Sequence, residues 1–232
     1  MILLDDVTKV YRTKDTRKVV LNGVTAEFPV GRNIGILGVN GAGKSTLLRM
    51  LAGSELPDSG HVRRRSRVSF PLAFSGTVHP SLSGRENVAF IARVYGADIR
   101  RVIDYVAEFS ELGPYYDMPT RTYSSGMQAK LSFGLCLAIE FDFYLIDEVT
   151  AVGDARFQAR CKAAFEDRMK DASIIMVSHS FETIRSYCDT GALLNNGQLE
   201  VFGGLDEAIS AYRKVLGVDG ANEFSLLSHE EN

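Results

Sequence analysis

The chain has 232 residues, 45% of them hydrophobic, with 26 basic against 29 acidic side chains and a formal charge of −3. That length fits one large domain, or one domain with a small satellite, and should bury about 70% of its unfolded surface. Near-balanced charge argues against a protein made to coat nucleic acid, and three cysteines are too few and too odd in number for a disulfide framework.

The opening residues Met1 to Asp6 have no basic flank and no long apolar stretch, so no signal peptide is expected. Val24–Phe28 and Ile34–Leu37 read as strands bounded by Pro29, Gly31 and Gly38. A helix is predicted from Lys44 to Ala52 and closed by Gly53. The run Arg63-Arg64-Arg65-Ser66-Arg67 is the densest basic stretch and reads as an exposed hairpin of solvated arginines.

From residue 78 to residue 139 the pattern is helical. Ser83 and Glu86 have capping-box spacing, and Val88, Ile91, Ala92 and Tyr95 follow at helical intervals. Ile99, Val102, Ile103, Val106 and Phe109 give a second stripe, ended by Gly113-Pro114. The apolar run 131–146 is interrupted by Glu140 and Asp142 and is too short to cross a bilayer. Phe143–Ile146 then reads as a buried parallel strand, Ala155–Met169 as a helix and Ser173–Val177 as a strand. Asn195-Asn196-Gly197 marks a hairpin between Ala192–Leu194 and Leu199–Phe202, and Leu205–Leu216 a last helix. Cys136, Cys161 and Cys188 fall in apolar helical runs and read as buried small hydrophobes. Residues 218–232 hold acids but no Lys or Arg and are expected to form a loose tail.

Gly38-Val39-Asn40-Gly41-Ala42-Gly43-Lys44-Ser45 matches the phosphate-binding loop G-x-x-x-x-G-K-S/T, between a predicted strand and a predicted helix. Glycines let successive N–H groups converge on one anion, and the helix start adds partial positive charge. Lys44 should reach the β- and γ-phosphates of ATP, with Ser45 as a Mg²⁺ ligand and Asn40, Gly41, Gly43 and Thr46 completing the cradle. The matching acids end the strand 143–146: Asp147 would hold Mg²⁺ through water, and Glu148 would polarise the attacking water.

Tyr123-Ser124-Ser125-Gly126-Met127-Gln128 resembles the signature of the ABC ATPases, usually Leu-Ser-Gly-Gly-Gln, with Ser for the first Gly and Met after the second. Tyr11 lies where this family stacks an aromatic on adenine. Ala151-Val152-Gly153-Asp154 resembles its D-loop, and His179 its switch histidine. A glutamine usual between the phosphate loop and the helical insertion is missing, with Ala73 near its place. The runs 70–76 and 79–87, with the short C-terminal extension, look like the ATP-binding subunits of capsular-polysaccharide exporters.

The resemblance implies an α/β P-loop fold with an N-terminal antiparallel β subdomain and an inserted helical subdomain. Residues 1–217 would form the ATPase domain (1–77 and 140–217 the core, 78–139 the insertion), and 218–232 the tail. It implies a homodimer that sandwiches two ATPs. Ser124, Ser125, Gly126, Met127 and Asp154 of one copy would act at the other's nucleotide, with Glu148, His179 and Lys44 catalytic. A separate polytopic permease would dock near Ala73 to Tyr95, holding the motor on the cytoplasmic face of the inner membrane with no nucleic-acid partner. The rivals are a soluble ABC ATPase of DNA repair or translation, and a motor for a lipid or small molecule. The span between Lys44 and Tyr123 shows no heptads for a repair-type coiled coil, and the chain has one phosphate loop where translation types have two. A GTPase or small-molecule kinase would leave the signature unexplained, and no Asn-Lys-x-Asp guanine motif occurs.

Overall fold

A computed structural model describes residues 1–13, 16–71, 78–147, 155–178 and 180–217. Strands β1 (Ile2–Arg12), β2 (Arg17–Phe28) and β4 (Ser59–Arg64) form an antiparallel sheet in the order β2-β1-β4. Strands β3 (Ile34–Leu37), β5 (Phe143–Asp147), β6 (Ser173–Val177), β7 (Thr190–Asn195) and β8 (Gln198–Val201) form a second sheet in the order β5-β6-β3-β7-β8. It is parallel except for β8.

The parallel strands are apolar runs because both faces are covered. Side chains alternate between two cores, as the two-residue period of a strand requires. Ile36, Phe143, Leu145, Ile175, Val177, Ala192 and Leu194 point into a core shared with the antiparallel sheet and α1 (Lys44–Ala52). Leu37, Tyr144, Ile146, Ile174, Met176 and Leu193 point into the other core. That second core is covered by helices α2 (Gly84–Val94), α3 (Ile99–Ser110), α4 (Ser125–Ala138), α5 (Ala155–Arg168), α6 (Phe181–Tyr187) and α7 (Leu205–Leu216). Helix α1 therefore lies between two sheets, and Leu47, Leu48, Met50 and Leu51 are all fully buried.

Local signals set the element ends. Ser83 and Glu86 form the capping box of α2, and Asp98 caps α3. Asn195 pairs with Gln198, so the hairpin loop is the two residues Asn196 and Gly197, with φ of 47° and 79°. Positive φ at both is what a tight hairpin with right-handed twist requires. The apolar run 131–146 is divided between α4 and β5, and no helix among the described residues is long and apolar enough to cross a membrane.

Two expectations are corrected. Arg63, Arg65 and Arg67 are exposed as expected, but the run is not a hairpin and Arg64 departs from it: Arg63 and Arg64 end β4, and Arg64 is half-buried. Its Nε donates to Leu51 O at 2.7 Å and its Nη2 donates to Met50 O, capping the last carbonyls of α1. All three cysteines are buried as expected, but Cys188 is not inside a helical run. It is the C-cap of the seven-residue α6.

Candidate nucleotide site

The loop between β3 and α1 is built for close backbone approach. Gly43, the N-cap of α1, has φ 108° and no side-chain cap. A Cβ there would lie 2.1 Å from Val20 Cγ1 on β2, so only glycine allows the sheet to close on the loop. Lys44 is buried; its Nζ donates to Gly38 O at 2.6 Å and Val39 O at 3.2 Å, folding the side chain back along the loop.

A cavity of about 330 Å³ opens over this loop. Asn40, Gly41, Gly43, Lys44, Ser45 and Thr46 line it from below, Asp147 and Val177 from the parallel sheet, and Tyr11, Lys18 and Val20 from the antiparallel sheet. The structure thus gathers the phosphate loop, Tyr11 and Asp147 around one space. Ser124, Ser125, Gly126 and Met127 are not among the lining residues. Ser124 and Ser125 are exposed, and Ser124 Oγ accepts from Met127 N as the N-cap of α4. Glu148, Asp154, His179 and Ala73 lie outside the described residues.

Tyr11 is 40% exposed, yet its hydroxyl is anchored. It donates to Glu55, receives Arg49 Nη2 at 3.3 Å and lies 3.3 Å from Thr46 Oγ1. Arg49 Nη2 also donates to Thr46 Oγ1 at 3.0 Å, and Arg49 Nε to Glu55 at 2.9 Å. Lys9 pairs with the same carboxylate at 3.2 Å. Burial works to raise the Glu55 pKa, but the hydrogen bonds from Tyr11, Arg49 and Lys9 outweigh it and hold the group below the usual carboxylate value. Lys9, Arg49 and Glu55 of this hub, and Lys18 opposite Tyr11, carry no motif, and the sequence reading missed them.

A geometry of this kind can cradle a polyphosphate between backbone N–H groups, a lysine and a hydroxyl, with an aromatic at the mouth for a base. A family model described as "ABC transporter" matches residues 21–151. The polysialic acid transport ATP-binding protein KpsT of Escherichia coli is 47% identical over 219 residues, covering 93% of this chain and all of that protein. The capsule polysaccharide export ATP-binding protein CtrD of Neisseria meningitidis serogroup B is 46% identical over 215 residues, covering 93% of this chain and all of that one. The fold is similar to a dimeric, post-hydrolysis ATP-binding cassette bound to ADP and Pi, with TM-score 0.71 and 20% identity over 88% of this chain and all of that one. With a family model spanning more than half its length and relatives this similar end to end, the chain belongs to the ABC transporter family.

Proposed function

We propose that this chain is the ATP-hydrolysing subunit of an exporter of capsular or related cell-surface polysaccharide, working as a homodimer on a separate membrane-spanning permease. The observation that carries the reading is the cavity that brings the loop Asn40–Thr46, Tyr11 and Asp147 together. The polymer is inferred from the printed functions of KpsT and CtrD, each matched over its whole length.

In this reading the adenine stacks on Tyr11 and the phosphates lie on the loop, with Lys44 and the Thr46 hydroxyl beside them. Ser45 and Asp147, both lining the cavity, offer oxygen donors suited to Mg²⁺, a hard cation that keeps water and phosphate oxygens as its other ligands. Bound there, Mg²⁺ would neutralise phosphate charge.

The exposure of Ser124 and Ser125, outside the cavity lining, supports a role for Ser124–Met127 at the nucleotide of a second copy. Glu148 is assigned as the base that takes a proton from the attacking water, with His179 of the same copy and Asp154 of the second copy beside it; these roles come from the motifs. Phosphate release would remove the contact between copies and reopen the pair. A permease docking face near Ala73 to Tyr95 is supported by Phe90 and Val94, 57% and 61% exposed and one turn apart on α2. The chain would sit peripherally at the cytoplasmic face of the inner membrane.

The test combines phosphate release by the purified chain with surface polysaccharide on the cells that make it. Lys44→Ala is expected to abolish both, because the lost ammonium leaves phosphate charge uncompensated. Hydrolysis at the parent rate would refute the site. Normal surface polymer without hydrolysis would refute the transport role.

A further inference from the structure

Lys18 stands directly opposite Tyr11 in the β1–β2 ladder. Directly paired residues project to the same face of a sheet, with Cβ atoms about 5 Å apart. The face that presents the aromatic to the cavity therefore presents an ammonium beside it. Two residues along β2, Val20 lies against Gly43 and fixes that face on the phosphate loop. Lys18 itself crosses above the loop: its Nζ is 3.3 Å from where a Cβ on Gly41 would be.

Charge sharpens the point. Among the described lining residues the charged groups are Lys44, Asp147 and Lys18. Lys44 and Asp147 cancel, so Lys18 alone makes this lining positive toward a polyanion. Lys44 lies along the loop, donating to Gly38 O and Val39 O, whereas Lys18 has no ion-pair partner within 4.0 Å among the described residues.

We propose that Lys18 is a phosphate-binding residue of the nucleotide site, reaching the phosphate chain from the β1–β2 sheet, on the opposite side from Lys44. The assignment rests on the nucleotide reading above and adds to it a ligand contributed by the antiparallel sheet. Tyr11 and Lys18 would then grip base and phosphates as one cross-strand pair. Any shift of that sheet relative to the loop would move the ammonium relative to the phosphates.

The test is equilibrium binding of ATP, ADP and adenosine to the full chain and to Lys18→Met, which keeps the aliphatic stem and removes the charge. ATP and ADP affinities should fall about tenfold, the scale of one charge-assisted hydrogen bond, while adenosine affinity stays at the parent value. Lys18→Arg should restore ATP binding to within about threefold, and the salt dependence of ATP binding should be shallower in Lys18→Met than in the parent. Unchanged ATP affinity in Lys18→Met would overturn the proposal while leaving the nucleotide site standing. So would equal losses for ATP and adenosine, which would mark a packing role. A parent chain that binds no ATP would overturn the site itself, and this proposal with it.

Discussion

Replacing Arg64 by Met tests whether the basic run holds the phosphate-loop helix in place. Arg64 donates to Leu51 O at 2.7 Å and to Met50 O, while Gly53 N also donates to Met50 O at 3.1 Å. Both carbonyls lose their side-chain donor, but Met50 O keeps Gly53 N, so the Leu51 carbonyl is the one left stranded. Methionine fills most of the space of the stem, so the loss is chiefly two charge-assisted bonds, one of which strands its carbonyl, partly offset by relief of the burial that lowers the Arg64 pKa. That comes to about 2 kcal/mol. In a chain of this size it corresponds to a fall in melting temperature of about 4–8 °C. Arg63 is the internal control: it pairs with Asp5 at 3.2 Å, and both side chains are more than half exposed. Arg63→Met should cost about 0.5 kcal/mol, or about 1–2 °C. Differential scanning calorimetry of both variants without nucleotide decides the matter. Equal shifts would refute the assignment of Arg64 as a helix cap.

Other outcomes follow from the same geometry. Glu55→Ala frees the Tyr11 hydroxyl and should raise KM for ATP about 2- to 10-fold with kcat unchanged, whereas Glu55→Gln keeps an acceptor and should lie between. Because the Glu55 pKa is lowered on folding, its contribution is complete above the ordinary value of 4.5 and disappears as pH falls below it. The affinities of parent and Glu55→Ala should converge there and separate at higher pH. Burial pushes the Cys136 and Cys188 thiols up to about 12 and Cys161 up to about 11, so a disulfide reagent at pH 8 should label none of them in the native chain and all three after unfolding. Glu148→Gln should slow phosphate release about 10²-fold with ATP binding retained, while Asp147→Asn should instead raise the Mg²⁺ concentration needed for half-maximal rate; normal turnover by Glu148→Gln would send the search for the base elsewhere.

Elements with strong local signals were legible from the sequence. The bounds of α1, β3, β6 and α7 match their predicted spans because glycines, caps and continuous apolar runs mark them. The strands β1 and β4 and the helix α6 went unmarked for identifiable reasons. In β1 the alternation is broken by register irregularities around Asp6, whose φ is 50°, so no clean two-residue period runs through Ile2–Arg12. Strand β4 is an edge of polar sequence, Ser-Gly-His-Val-Arg-Arg, held by pairing with β1 rather than by its own apolar content. Helix α6 is two turns long and depends on the Ser180 cap and the buried Ile184, too short for a periodic stripe to register.

The site divides along the same line. The phosphate loop could be read because its function needs contiguous residues: glycines for a tight backbone, then a lysine and a hydroxyl at the start of a helix. Asp147 could be read because it ends an apolar strand. Lys18, Glu55 and Arg49 could not. Lys18 reaches the cavity only through its register opposite Tyr11, and that register becomes definite only once the β1–β2 hairpin has closed. Glu55 follows the end of α1 and meets Tyr11 only because the antiparallel sheet packs over that helix. Local chemistry thus marks where the phosphates would sit. The groups that would fix the base, and the second cation above the loop, are products of the packing of one sheet on the other.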